Sequence, residues 1–183
     1  MSEESMQAWR DDTSRPPLNV SEALRGQNLI VIGCTGFLGK VWLSKLLHDY
    51  PEVGTLYVMV RPKSGLTPEE RFWSDVAPSQ VFDPIREKHP GAAYETFMRE
   101  KIRPIGGDVA HEMLGFSDEL RDELRGKVAA IVNIAGVVDF NPPLDEALNV
   151  NAFGAQNLVA ATKDLGDDVA LFHTSTCFVA GCR

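Results

Sequence analysis

Three glycines near the start of the sequence have a spacing that suits phosphate binding. Gly33, Gly36 and Gly39 recur at every third position, in Gly-Cys-Thr-Gly-Phe-Leu-Gly. The apolar, β-branched run Asn28–Ile32 precedes them. The segment from Phe37 to His48 has apolar residues at helical spacing, which predicts an amphipathic helix laid against the sheet by Leu38, Val41, Trp42 and Leu46. Glycines at a strand-to-helix turn let the backbone approach a pyrophosphate, which then faces the amino terminus of the helix. The sequence therefore predicts a dinucleotide site at this turn.

Two cations follow the second predicted strand, at residues 55–60. Arg61 and Lys63 stand about 20 residues past the glycine turn, where dinucleotide-binding folds place the residue that meets the adenosine ribose. A carboxylate there selects NAD, whereas two cations attract a ribose 2′-phosphate, which Arg binds through two nitrogens. The sequence thus favours NADP(H). The alternative is that Arg61 is a solvated residue at the end of a strand.

Asp108 occurs in Gly-Gly-Asp-Val, after a further predicted strand at residues 102–105. Its carboxylate is suited to accept a hydrogen bond from the adenine amino group, with Val109 against the ring. The alternative is an ordinary Asp turn, in which the side chain binds nearby backbone.

Alternating strands and helices must position these residues. We predict strands at residues 28–32, 55–60, 102–105, 128–134 and 169–173. We predict helices at residues 19–26, 37–48, 117–125 and 144–165, and an insertion with two or three short helices at 67–113. Residues 1–17 are expected to form a mobile tail, and residues 18–183 a doubly wound parallel α/β sheet of Rossmann type. Such a sheet binds ligands at the carboxyl ends of its strands.

Composition excludes several classes of protein. The longest apolar stretches, at residues 29–32 and 128–134, are far shorter than the roughly 20 residues that span a bilayer. The polar, acidic start lacks the features of a secretory signal, so we expect a cytoplasmic protein. Three cysteines without paired spacing argue against a disulfide framework and against a metal site. A net charge of -8 opposes nucleic-acid binding, which leaves a small molecule or a protein as the expected partner.

Longer motifs resemble a known family over nearly the whole chain. These motifs are Gly-Cys-Thr-Gly-Phe-Leu-Gly-Lys40, Val60-Arg-Pro-Lys-Ser-Gly65, Lys101-Ile-Arg-Pro-Ile-Gly-Gly-Asp108, Ala135-Gly-Val-Val138, Asn151-Ala-Phe-Gly154 and His173-Thr-Ser-Thr176. Together they resemble the fatty acyl-CoA reductases, with their NAD-binding domain of male-sterility type, within the extended short-chain dehydrogenase/reductases. Members of that family reduce a fatty acyl thioester with NADPH, to the aldehyde or to the alcohol.

The resemblance assigns roles to individual residues. The residues that it implies for the pyrophosphate are Gly33, Thr35, Gly36, Phe37, Leu38 and Gly39. Those that it implies for the rest of the cofactor are Arg61 and Lys63 at the 2′-phosphate, Asp108 and Val109 at adenine, and Ala135, Gly136 and Val137 towards the nicotinamide ribose. It further implies that Asn151 steadies the strand-helix joint below the active site. Thr176 matches the catalytic Ser/Thr of the family, and Ser175 is the adjacent candidate.

The Tyr-x-x-x-Lys pair of the family does not occur in this sequence. In the resembling enzymes the Tyr supplies a proton, while a hydroxyl such as that of Thr176 donates to the oxygen on which charge develops. We therefore expect the chain to lack the substrate-binding region and to be inactive alone. We also expect it to self-associate through an exposed sheet edge.

Two alternatives to a fatty acyl-CoA reductase stay open at this point. The first is a thioester reductase domain that acts on chains bound to a carrier protein and uses the same cofactor half. The second is a non-catalytic module that senses NADP(H). A longer reading frame with Tyr-x-x-x-Lys would argue against the second alternative.

Overall fold

A five-stranded parallel sheet organises the computed structural model, which describes residues 19–62 and 65–176. The strands follow the spatial order β3-β2-β1-β4-β5. They are β1 at Asn28–Ile32, β2 at Leu56–Val60, β3 at Ile102–Gly106, β4 at Val128–Asn133 and β5 at Ala170–His173. This order, with β1 at the centre, confirms the predicted doubly wound fold of Rossmann type. The predicted mobile tail, residues 1–17, lies outside the described residues.

The sheet is buried because two apolar cores cover its two faces. Leu29, Val31 and Val58 point into one core, with α2 and the insertion after β2. Ile30 and Ile32 point into the other, with the helices that flank β4. A strand that is covered on both faces needs apolar residues at every position, which explains the continuous apolar runs in the sequence.

Eight α-helices lie in the described residues. They are α1 at Val20–Leu24, α2 at Phe37–Asp49, α3 at Pro68–Arg71, α4 at Asp83–Lys88, α5 at Ala92–Lys101, α6 at Asp118–Leu124, α7 at Leu144–Ala147 and α8 at Gly154–Leu165. Short 3-10 segments occur at Gln80–Phe82 and Glu112–Gly115. Two π-helical segments, Phe72–Val76 and Leu148–Phe153, continue α3 and α7. The insertion thus has more helical segments than predicted. No helix among the described residues is long and apolar enough to cross a membrane.

The buried face of α2 differs from the predicted one. Leu43, Leu46 and Leu47 are buried against the sheet, whereas Leu38 is 56% exposed. The first turn of α2 begins beyond the carboxyl end of β1, so its side chains have no sheet beneath them. Helical spacing alone does not reveal where the sheet ends, and the prediction that Leu38 packs on the sheet was wrong.

Ion pairs between α6 and α8 fix the two helices that cover the second core. Arg125 Nη2 lies 2.7 Å from Asp164 Oδ1, and Arg121 Nη1 lies 3.1 Å from Asp164 Oδ2. Hydrogen bonds from Arg125 and then Arg121 hold the pKa of the Asp164 carboxyl below its ordinary value. The Asp164 side chain is only 20% exposed, so solvent screens these contacts less than it screens a surface pair.

We predict that Asp164→Asn lowers the melting temperature at pH 7, through a loss of about 1 kcal/mol. Because folding depresses the pKa of Asp164, its stabilising effect is present above the unfolded value and is lost as the pH falls through the folded value. The difference in melting temperature between wild type and variant should therefore shrink from pH 7 towards pH 2. Glu52→Gln, which removes an exposed pair with Arg25, is the control. A difference that stays constant with pH would contradict this prediction.

Candidate cofactor site

The glycine turn brings the start of α2 against the end of β1. Gly33 has φ +97, and a Cβ there would lie 2.6 Å from the backbone nitrogen of Ala135. A Cβ at Gly39 would lie 2.6 Å from the carbonyl carbon of Gly33 and would overlap its oxygen. Gly36 closes the turn by donating its N–H to the Gly33 oxygen at 3.0 Å. Both close approaches require glycine, which leaves a cradle of bare backbone.

The amino terminus of α2 points out of this cradle. Its N-cap residue is Gly36, and no side chain among the described residues caps the first turn. Thr35 is exposed, as are Phe37 and Leu38 in the first turn, at 80% and 56%. The first N–H groups of a helix have no partner within the helix and carry the positive end of its dipole. This end of α2 can therefore bind an anion through backbone N–H groups.

A cavity of about 760 Å³ opens at the carboxyl ends of β2 and β3. Its lining residues come from the end of β3 and from the segments that follow the two strands. They are Arg61, Pro62 and Arg71 after β2, Gly106 at the end of β3, and Gly107, Asp108, His111, Gly115, Ser117 and Leu120 after β3. The register that pairs Val60 with Gly106 brings these segments side by side. Lys63, the second predicted cation, lies outside the described residues.

Arg71 is a cavity residue that sequence analysis missed. Its side chain is 16% exposed, and its Nη1 donates to the backbone oxygen of Arg61 at 2.6 Å. The capping box between Thr67 and Glu70 starts α3 so that Arg71 turns back towards the end of β2. The sequence shows the helix start, but it does not show which way the helix faces.

The Gly-Gly-Asp-Val segment meets the cavity through Asp108. Asp108 Oδ1 accepts from the backbone N–H of Ala110 at 3.0 Å, which is the Asp turn that sequence analysis left as an alternative. The same residue lines the cavity. Val109 is 5% exposed, packs next to Gly154, and its oxygen accepts from Asn157 Nδ2 at 2.9 Å. The structure therefore places the Val109 side chain in the core and not on the cavity wall.

Asn151 holds the connection after β4, where Ala135, Gly136 and Val137 lie. Asn151 Oδ1 accepts from Val137 N–H at 2.9 Å, and Asn151 Nδ2 donates to Val137 oxygen at 3.0 Å. Asn151 itself lies in the π-helical segment Leu148–Phe153, and such segments often occur at functional sites. This is the strand-helix joint to which the family resemblance assigns Asn151.

Ser175 and Thr176 follow the last described strand. The register aligns Ile32 with Asn133, and Asn133 with His173, so β1, β4 and β5 end at one edge of the sheet. Both hydroxyl residues are exposed beyond that edge. Asn133 is a buried polar residue that sequence analysis did not single out, and its amide contacts His173. The sequence contained one signal of this residue, which is a single Asn at the end of an otherwise apolar strand.

Cys34 lies inside the glycine turn but is not a nucleophile. It is fully buried, and burial raises the pKa of its thiol to about 12. At neutral pH it is therefore a protonated thiol, and only a thiolate attacks substrates or binds metals. Among the described residues, no group of His, Cys, Asp and Glu could hold a metal ion.

Comparison with known proteins identifies the family. Residues 31–183 match the NAD-binding family described as male sterility protein, and the chain belongs to this family. Fatty acyl-CoA reductase 1 of Homo sapiens is 32% identical over 161 residues, which are 88% of this chain and 30% of that protein. Fatty acyl-CoA reductase 8 of Arabidopsis thaliana is 31% identical over 159 residues, 86% of this chain and 32% of that protein. The predicted resemblance is thus confirmed.

Solved structures agree with the fold. The reductase domain of a non-ribosomal peptide synthetase from Mycobacterium tuberculosis has a TM-score of 0.64 at 21% identity, over 90% of this chain and 38% of that one. The terminal R domain of the myxalamid pathway has a TM-score of 0.62 at 21% identity, over 84% of this chain and 35% of that one. The chain spans about a third of the length of the curated relatives it matches. Its family implies a nicotinamide cofactor.

We predict that Gly39→Ala weakens nicotinamide cofactor binding by about a hundredfold or more, because the new methyl group separates α2 from β1 and displaces the N–H groups of the first turn. Fluorescence or calorimetric titration of the cofactor measures the effect. Lys45→Ala, on the exposed face of the same helix, is the control for helix stability. Unchanged affinity in a folded Gly39→Ala variant would show that this contact does not shape the site.

Proposed function

We propose that the chain is the NADPH-binding part of a reductase that acts on a fatty acyl-CoA thioester and yields the aldehyde or the alcohol. The observation that carries the cofactor proposal is that Arg61 and Arg71 both line one cavity, on the same sheet edge as the glycine turn. The cradle fits a pyrophosphate because its close contacts leave no side chain between an approaching anion and the first turn of α2. The cavity fits the adenosine end, because it opens at the ends of β2 and β3.

Charge supports NADPH over NADH. Two arginines, Arg61 and Arg71, line the cavity, against the one carboxylate, of Asp108, among its lining residues. Asp75 lies outside this lining, with its Oδ2 3.7 Å from Arg71 Nε. Arginine binds phosphate through parallel N–H donors, and a 2′-phosphate is what distinguishes NADPH from NADH. The residue that would accept from the ribose hydroxyls of NAD is a carboxylate at the end of β2, and Arg61 stands there instead. The positive excess therefore favours the cofactor with the additional phosphate.

The chain's own groups then have distinct tasks in the reaction. Bound NADPH supplies the hydride that reduces the thioester carbonyl. The amino terminus of α2 holds the pyrophosphate, and Asn151 fixes the backbone of Val137 on the nicotinamide side. The Thr176 hydroxyl donates a hydrogen bond to the carbonyl oxygen, where negative charge develops during reduction.

The names of the relatives support an acyl-CoA substrate. Several of the similar curated proteins are fatty acyl-CoA reductases, at 31–32% identity. A thioester on a carrier protein is the alternative, and the reductase domains with a similar fold do not decide between the two, since they are less than 25% identical. Oxidation of NADPH by the whole protein, with a long-chain acyl-CoA or with the same chain on a carrier protein, tests this. A protein that binds NADPH but reduces neither substrate would be a sensor.

We predict that Arg61→Ala and Arg71→Ala each lower NADPH affinity by about ten- to a hundredfold and leave NADH affinity nearly unchanged. Hydrogen bonds to charged groups contribute about 1.5–3 kcal/mol, and the lost contacts are those to the 2′-phosphate. Binding titrations with both cofactors measure the two effects. Arg25→Ala, which removes an exposed surface arginine, is the control. Equal affinity of the unmutated protein for NADPH and NADH would sink the proposal.

A second prediction concerns the hydroxyl at the end of β5. In the whole protein, Thr176→Ala should lower kcat about a hundredfold with little change in NADPH affinity, because the hydroxyl acts on the developing oxyanion. Thr176→Ser should restore most of the turnover. Ser175→Ala is the matched control, and a large loss of turnover in that variant alone would move the role to Ser175.

A further inference from the structure

A buried amide joins the end of β4 to the end of β5. Asn133 is the last residue of β4 and is 2% exposed. Its Nδ2 donates to the backbone oxygen of Ala135 at 3.2 Å, and its Oδ1 accepts from the Ala135 N–H at 3.3 Å. The same Nδ2 lies 3.1 Å from Nδ1 of His173, the last residue of β5. All three contacts use one carboxamide.

The backbone of Ala135 fixes which way this carboxamide faces. Of the two ends of the Asn133 carboxamide, only Oδ1 can accept from the Ala135 N–H, and only Nδ2 can donate to the Ala135 carbonyl. Asn133 therefore presents an N–H to His173. Nδ1 of His173 can meet this N–H only as an acceptor, which is the tautomer that carries the ring proton on Nε2. A protonated ring would place two donors against each other.

This contact joins the two parts of the proposed active site. Ala135 lies beside the glycine turn, where its nitrogen is 2.6 Å from the position of a Cβ at Gly33. His173 leads directly into Ser175 and Thr176, and Thr174 continues the ladder by donating to the Asn133 oxygen at 2.9 Å. The amide thus connects the nicotinamide side of the cofactor site to the segment that carries the proposed hydroxyl.

We infer that Asn133 and His173 form a positioning pair, which holds the Ser175-Thr176 segment in place against the nicotinamide side of the site. The inference rests on the proposed function for the role of Thr176. The group that faces Nδ1 of His173 from β4 is the neutral carboxamide of Asn133. His173 itself is exposed.

The test compares kcat at one pH in the whole protein and in two variants of His173. In His173→Leu, the acceptor for Asn133 Nδ2 is lost, and kcat should fall about tenfold, which is the order of one hydrogen bond. In His173→Gln, the side-chain oxygen can accept from Asn133, so most of the turnover should return.

Two controls separate positioning from damage to the fold. NADPH affinity should stay nearly unchanged in both variants, since His173 does not line the Arg61–Arg71 cavity. His48→Gln, at the far end of α2, should leave kcat as it is in the wild type. Equal turnover in wild type and His173→Leu, or the same loss of turnover in His173→Leu and His173→Gln, would overturn the inference.

The tautomer of His173 tests the pair independently of turnover. Nitrogen NMR shifts of the histidine-labelled protein should show a proton on Nε2 and a bare Nδ1 at neutral pH. A proton on Nδ1 would overturn the pair even in an active enzyme. If the wild type reduces no acyl thioester, the proposed function fails, and the tautomer still decides whether the pair exists.

Discussion

The contact between Gly39 and Gly33 is the constraint on which the rest of the site depends. Because neither residue has a side chain, the first turn of α2 sits directly on the end of β1, and its N–H groups point outward over the carboxyl edge of the sheet. Gly33 also lies against Ala135, so the same turn sets the position of the connection after β4. One side chain added at either glycine would separate the elements that hold the two ends of the cofactor.

The sheet then divides the proposed site by strand order. On one side of β1, the ends of β2 and β3 form a cavity with two guanidinium groups, suited to a charged and hydrophilic ligand end. On the other side, two neutral amides bind backbone and bring no charge: Asn133 at the end of β4, and Asn151 from the π-helical segment Leu148–Phe153. The positive charge of Arg61 and Arg71 therefore lies on the side of the sheet proposed to bind the adenosine end of the cofactor. Where hydride transfer would occur, neutral hydrogen bonds from Asn133 and Asn151 position the backbone.

Much of this could be predicted from local pattern. The sequence predicts β1 with the bounds it has in the structure, because a strand buried on both faces leaves a continuous apolar run between turn residues. The glycine turn could also be predicted, from the spacing of its three glycines. What could not be predicted depends on how elements face each other: Arg71 turns inward from a helix that looks solvated, Val109 packs into the core, and Asn133 acts through a partner 40 residues away. Spacing along the chain does not encode these orientations.

A structure of the whole protein with NADPH bound would test the proposed cofactor site. We expect the pyrophosphate to meet the first N–H groups of α2, and the 2′-phosphate to lie between the guanidinium groups of Arg61 and Arg71. The nicotinamide ring would lie towards Ala135 and the Ser175-Thr176 segment. A 2′-phosphate in solvent, away from both arginines, or a pyrophosphate away from the glycine turn, would contradict the account.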